Sequence, residues 1–167
     1  MTRVIAFTGK KRSGKTSLVS AFMEFVREQG HSAVRVGFKQ ALLEKIKTDF
    51  PDYLKAEAEL LAMDIDKLLE EKPRTIRQLL QNYGTDLHRK DDPNYWVKKW
   101  TYFIQRYDTD FIFVDDLRFM NEAAAVKNLG GVVIRIIRPS IGDEDTHQSE
   151  TEMDLIPADF EITEEDL

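Results

Sequence analysis

An α/β fold around a central parallel sheet is what this sequence predicts, on three observations. Residues 3–8 (RVIAFT) are a short β-branched and aromatic run that stops at Gly9, as a buried strand entering a turn does. Over residues 15–29, Leu18, Val19, Phe22, Met23, Phe25 and Val26 recur at helical spacing, and Gly30 follows as a helix stop. A second strand-like run, residues 33–38, comes next, and a helix of this length between two strands is the usual crossover of a parallel pair.

Residues 39–71 are rich in Leu, Ala, Glu and Lys, with one interruption at Phe50-Pro51-Asp52, and read as two helices. Pro73 suits the first turn of a further helix to about residue 90. Asp92-Pro93-Asn94 then starts a helix carrying Trp96, Trp100, Phe103 and Tyr107, four aromatics read as core. Residues 111–114 (FIFV) are continuously apolar, as in a central strand covered on both faces, and end in Asp115-Asp116. A helix over 121–129, the Gly130-Gly131 turn, a strand over 132–137 and a short strand over 159–162 complete the order. The expectation is one domain of three layers, α/β/α, with about five parallel strands. Its core is placed at 1–38 and 108–167, with a helical insert over 39–107.

With 167 residues, 42% of them apolar, the chain can bury one good core. It has no cysteine, which excludes disulfides and thiolate metal sites. A net charge of −6 argues against a broad nucleic-acid surface, and no apolar run approaches membrane-spanning length. No leader-like n-region precedes the first strand, so the expected location is cytoplasmic.

Gly9-Lys10-Lys11-Arg12-Ser13-Gly14-Lys15-Thr16 satisfies G-x-x-x-x-G-K-[ST] between a predicted strand and a predicted helix. The glycines let successive N–H groups turn inward onto phosphate oxygens, and the helix adds its positive N-terminal end. The Lys15 ammonium is expected to bridge the β- and γ-phosphates of ATP, and the Thr16 hydroxyl to ligate Mg²⁺. Gly9, Lys11, Arg12, Ser13, Gly14 and Ser17 count with Lys15 and Thr16 as ATP contacts. Such a site also needs an acidic residue ending a neighbouring apolar strand; Asp115 is preferred over Asp116 because it directly continues FIFV. Arg118 and Arg138 follow the later strands, whose carboxyl ends surround the ligand in α/β sheets. Arg138 is assigned to ATP and Arg118 to the transferring phosphoryl group. Arg135 lies inside a strand and is a weaker candidate.

On a helical wheel of 74–90, Ile76, Leu79, Leu80, Tyr83 and Leu87 form an apolar stripe, opposite Arg74, Arg77, Gln81, Gly84, Thr85 and His88. That polar face reads either as a grip for a phosphate and a base or as a solvated surface with a break at Gly84. His88 is taken as a surface residue. Residues 140–152 are polar and irregular, fitting either a lid over ATP or a mobile loop, and His147 is too isolated for a metal proposal.

Together these blocks resemble the phage-type deoxynucleoside monophosphate kinases, a branch of the P-loop nucleoside monophosphate kinases. The resemblance rests on GKKRSGKT at 9–16, Arg77-Gln-Leu-Leu-Gln81 through Gly84-Thr85-Asp86 to Arg89, Trp96, Val114-Asp115-Asp116-Leu-Arg118-Phe119 with Asn121-Glu122, and His147-Gln-Ser149-Glu150. It implies phosphorylation of a (deoxy)nucleoside monophosphate by ATP with Mg²⁺, in host cytoplasm if the chain is phage-encoded. Lys15, Arg118 and Asp115 would serve catalysis, Thr16 and Asp115 the metal, and Arg77, Gln81, Thr85 and Arg89 the substrate, to which the wheel reading adds Arg74. Arg89 fits the wheel less well, because it lies off the centre of the polar face. A homodimer is compatible with the resemblance; a nucleic-acid polymer or membrane partner is not expected. The chain is also distantly similar to animal-type phosphomevalonate kinases, which gives a base-free phosphorylated acceptor as the alternative. A nucleotide-controlled switch is the other, weakened by the absence of an N-K-x-D guanine motif.

Overall fold

The computed structural model describes residues 2–10, 12–138 and 152–166. By internal packing the chain divides into two compact units, Met1–Phe38 with Thr101–Leu167, and Lys39–Trp100. Residues 101–107, expected with the insert, group with the sheet.

The first unit holds five parallel strands, β1 (Arg3–Thr8), β2 (Ala33–Arg35), β3 (Phe111–Val114), β4 (Val132–Ile137) and β5 (Phe160–Thr163), in the order β2-β3-β1-β4-β5. Helix α1 (Lys15–Glu28) packs through Val19 and Val26 on Phe7, Phe111, Phe113, Ile134 and Ile136. Because side chains alternate along a strand, the buried Val4, Ala6, Ile112 and Val114 face the other way. That two-sided burial is why β1 and β3 read as apolar runs rather than alternating ones. A later helix of this unit (Met120–Asn128) lies against β1 and β4.

The second unit is helical. In chain order α2 (Phe38–Asp49), α3 (Pro51–Leu60), α4 (Ile65–Glu71) and α5 (Arg74–Gln81) are followed by a π-helical stretch, Asn82–Arg89, and α6 (Tyr95–Ile104); the Met120–Asn128 helix is then α7. Helices α2 and α6 each run across the division between the units. Ile46, Leu54, Leu68, Ile76, Trp96 and Trp100 are buried, so the two tryptophans are core as expected, whereas Phe103 and Tyr107 are half-buried. No helix among the described residues is long and apolar enough to cross a membrane.

Three expectations are corrected. Residues 39–71 form three helices, because the chain also turns at Ala62, which takes a positive φ of 52°, and Asp64 then caps α4 by accepting from Lys67 N at 2.8 Å. Strand β2 stops at Arg35, not at residue 38, because Asp116 accepts from Phe38 N at 2.8 Å and draws Phe38 into the first turn of α2. The helix expected to run from Pro73 to residue 90 is α-helical to Gln81 and π-helical beyond it.

Candidate active site

In the sheet order β1 lies between β3 and β4, so the turn leaving β1 emerges beside the ends of both. In open α/β sheets this is where ligands bind. Gly9 takes φ +142°, and a Cβ there would stand 2.6 Å from the Ile136 carbonyl oxygen, so no other residue fits. Ser13 N returns to Lys10 O at 3.1 Å, and Gly14, at φ +92°, opens α1. Within that curl the Lys15 ammonium donates to Gly9 O at 2.5 Å and Lys10 O at 2.7 Å. No acidic residue occupies the first turn of α1, which leaves its positive end available to an anion.

Several of the expected site residues gather here. Thr16 Oγ1 donates to Asp115 Oδ2 at 3.0 Å, and a Cβ on Gly14 would come 3.7 Å from Arg138 Nη1. Arg12 is exposed with φ 67°, Ser13 is buried, and Ser17 is exposed in the first turn of α1. Lys11 lies outside the described residues, as do 140–151 with His147. Arg118 sits on a pinned loop: the buried Glu122 carboxylate accepts from Arg118 N at 2.9 Å and Phe119 N at 3.2 Å.

The two adjacent aspartates are used differently. Asp115 meets Thr16, whereas Asp116 caps α2 and packs so close to Gly37 that a Cβ there would be 2.6 Å from its carboxylate oxygens. Arg135 holds the segment after residue 151, donating to Asp154 O at 3.3 Å and to Ile156 O. Lys10 makes a 2.8 Å ion pair with Asp154.

Sequence reasoning missed Arg35. Its Nη1 lies 3.6 Å from Asp115 Oδ2, the oxygen that Thr16 contacts. A charged residue in the middle of the predicted strand 33–38 was the available signal. Among the described residues no group of three or more His, Asp or Glu is arranged to hold a metal. The Thr16 hydroxyl and Asp115 carboxylate nevertheless fit Mg²⁺, which takes one or two protein oxygens and completes its shell with phosphates and water.

In the helical unit, Arg74, Arg77 and Gln81 are exposed on α5, and Arg77 Nε donates to Lys72 O at 2.7 Å. Arg89 ends the π stretch and is half-buried; of the Thr85 side chain nothing is described. Gly84 and His88 leave the polar face on which the wheel put them. A Cβ at Gly84 would be 3.0 Å from Leu42 Cδ2, and its carbonyl accepts from Trp96 Nε1 at 2.7 Å. His88 is half-buried rather than fully at the surface: it stacks on Tyr95 at 4.3 Å and meets Tyr83 and Trp96 edge-on. Nearby, the Asp49 carboxylate accepts from Lys45 at 2.7 Å and from the Tyr83 hydroxyl. The bond from Lys45, then that from Tyr83, holds the Asp49 pKa below its ordinary value, while burial and then the bond to Asp49 raise that of Tyr83.

Residues 36–167 match the deoxynucleotide monophosphate kinase family. This chain belongs to that family. A provisionally named deoxynucleotide monophosphate kinase of Acanthamoeba polyphaga mimivirus is 31% identical over 174 aligned residues, covering 90% of this chain and 81% of that protein. The deoxynucleotide monophosphate kinase of Enterobacteria phage T4 is 32% identical over 93 residues, 53% of this chain and 39% of the phage protein. Among solved structures, shikimate kinase from Aquifex aeolicus aligns with 96% of this chain and 86% of its own at 13% identity and a TM-score of 0.41. Within this kinase family, the chain has its strand, glycine turn and helix upstream of residue 36, where the family match begins.

Proposed function

We infer that this chain transfers the γ-phosphoryl group of ATP to a deoxynucleoside monophosphate. The observation that carries the reading is the Lys15 ammonium held inside the curl by the Gly9 and Lys10 carbonyls, with Thr16 and Asp115 joined beside it. Carbonyl oxygens hold that ammonium where anionic phosphate oxygens would bind it more strongly, because they add the attraction of a full negative charge to the hydrogen bond. A triphosphate therefore draws Lys15 off the loop backbone and onto its own oxygens. Family membership supplies the acceptor class.

The acceptor phosphate is already an anionic nucleophile, so the protein's work is positioning and charge neutralisation. The inward N–H groups and α1 hold the donor phosphates, Lys15 follows the migrating charge, and Arg118 and Arg138 supply further guanidinium charge. Mg²⁺, held through Thr16 and Asp115, would neutralise phosphate charge and template the in-line geometry. Arg74, Arg77, Gln81, Thr85 and Arg89 are assigned to the monophosphate.

The test is ADP release across deoxy- and ribonucleoside monophosphates, with phosphomevalonate as a base-free acceptor. Deoxynucleotides should stimulate release, and Lys15→Ala should lower it by about a hundredfold or more. Stimulation by the base-free acceptor alone would refute the reading.

A further inference from the structure

The strand pairing gives Arg35 a place that no motif marks. Arg35 pairs with Phe113 across β2 and β3. Phe113 belongs to the cluster under α1, as does Ala33, two residues before Arg35. By strand alternation the Arg35 side chain emerges on that same face, where Thr16 stands in the first turn of α1. Asp115 follows β3 by one residue. Its Oδ2 thus receives the Thr16 hydroxyl at 3.0 Å and the Arg35 guanidinium at 3.6 Å.

We propose that Arg35 is a positioning residue that holds the Asp115 carboxylate toward Thr16 until a divalent cation takes over that charge. This rests on the kinase reading of the site. The guanidinium and the cation act on one carboxylate, and they repel each other. Arg35 therefore does two things: it keeps Asp115 from turning into solvent before nucleotide arrives, and it weakens cation binding once nucleotide is there. The second effect is measurable and has a sign that a merely structural residue would not give. The Arg35 side chain is 46% exposed and Asp115 18%, so water screens the repulsion strongly; the expected change is about three- to tenfold.

The experiment titrates Mn²⁺ into full-length protein saturated with adenylyl imidodiphosphate, following free Mn²⁺ by electron paramagnetic resonance. Arg35→Gln should tighten the cation by that factor, Arg35→Lys should stay near wild type, and Asp115→Asn should weaken it. Steady-state assays should show the half-saturating Mg²⁺ concentration falling in Arg35→Gln, with little change in the KM for the monophosphate. Thermal melts establish that each variant is folded. If Asp115→Asn weakens the cation but Arg35→Gln leaves it unchanged or weaker, the proposal falls and the metal site stands. If Asp115→Asn has no effect, the metal assignment falls and takes the proposal with it.

Discussion

Asp115 and Asp116 are adjacent in sequence, and the structure predicts opposite consequences for removing them. Asp116 Oδ1 accepts from Phe38 N at 2.8 Å, and that N–H belongs to the first turn of α2, where no intrahelical acceptor exists. Losing such a cap costs about 1 kcal/mol, and losing a negative charge at the helix N-terminus costs up to about 1 kcal/mol more. In a chain of this size each kcal/mol lowers Tm by about 2–4 °C, so Asp116→Ala should melt about 2–8 °C lower. Its kcat/KM, measured well below that melt, should stay within about threefold of wild type. Asp115 instead makes a half-exposed pair with Arg35 and accepts from Thr16, contacts whose loss costs about 0–1 kcal/mol. Asp115→Ala should therefore melt near wild type while losing about ten- to a hundredfold in activity, as metal-orienting carboxylates do. Differential scanning fluorimetry and the ADP-release assay on both variants read the two effects. An inactive Asp116→Ala with an unchanged melt, or an active, low-melting Asp115→Ala, would refute the division.

Two further outcomes follow from the helical unit. Trp96→Phe removes the indole N–H from which Gly84 O accepts in addition to its helical partner, a net loss of about 0.5–1.5 kcal/mol; a thermal melt should fall by a few degrees, and no shift would mean that the indole bond adds nothing to stability. The Asp49 pKa is lowered from 3.8 by Lys45 and Tyr83, so its contribution to stability is complete above that value and disappears as pH falls through the lower, folded one. The Tm gap between wild type and Asp49→Asn should therefore be open at neutral pH and close below about pH 3.8; a gap independent of pH would show that the carboxylate's charge is not what stabilises.

What the sequence made legible was local. A strand, a glycine-rich turn and a helix are contiguous, and the glycines at 9 and 14 announce backbone that other residues cannot adopt. The run FIFV followed by an aspartate carries its own burial signal, and Thr16 meets that aspartate across 99 positions because both patterns terminate at one sheet edge. Arg35 was not legible in that way, since its approach to Asp115 depends on β2 lying next to β3, a pairing no short window contains. The Asp116 cap and the Gly37 contact are equally non-local. The break between α3 and α4 was hidden because LLAMD contains neither Gly nor Pro, leaving Asp64 as the single cue.

The π-helical stretch bears most directly on the residues proposed for the monophosphate. Arg77, Gln81 and Arg89 are spaced in multiples of four, and in an α-helix each four-residue step drifts by about 40° around the axis. Continued from Arg77 to Arg89, that drift would reach about 120°, which is why a wheel puts Arg89 off the polar face. From Asn82 onward the chain is π-helical, and a turn closed by i→i+5 bonds takes up more than four residues. Four residues then fall short of a full turn, and the drift reverses sign. On ideal geometry such a path sets position 89 nearer the side of positions 77 and 81 than a regular helix does, which is the arrangement the proposed monophosphate site needs. Gly84 lies inside this stretch, against Leu42 and with its carbonyl on the Trp96 indole N–H, so the irregular turn is packed at the position where a side chain would crowd Leu42.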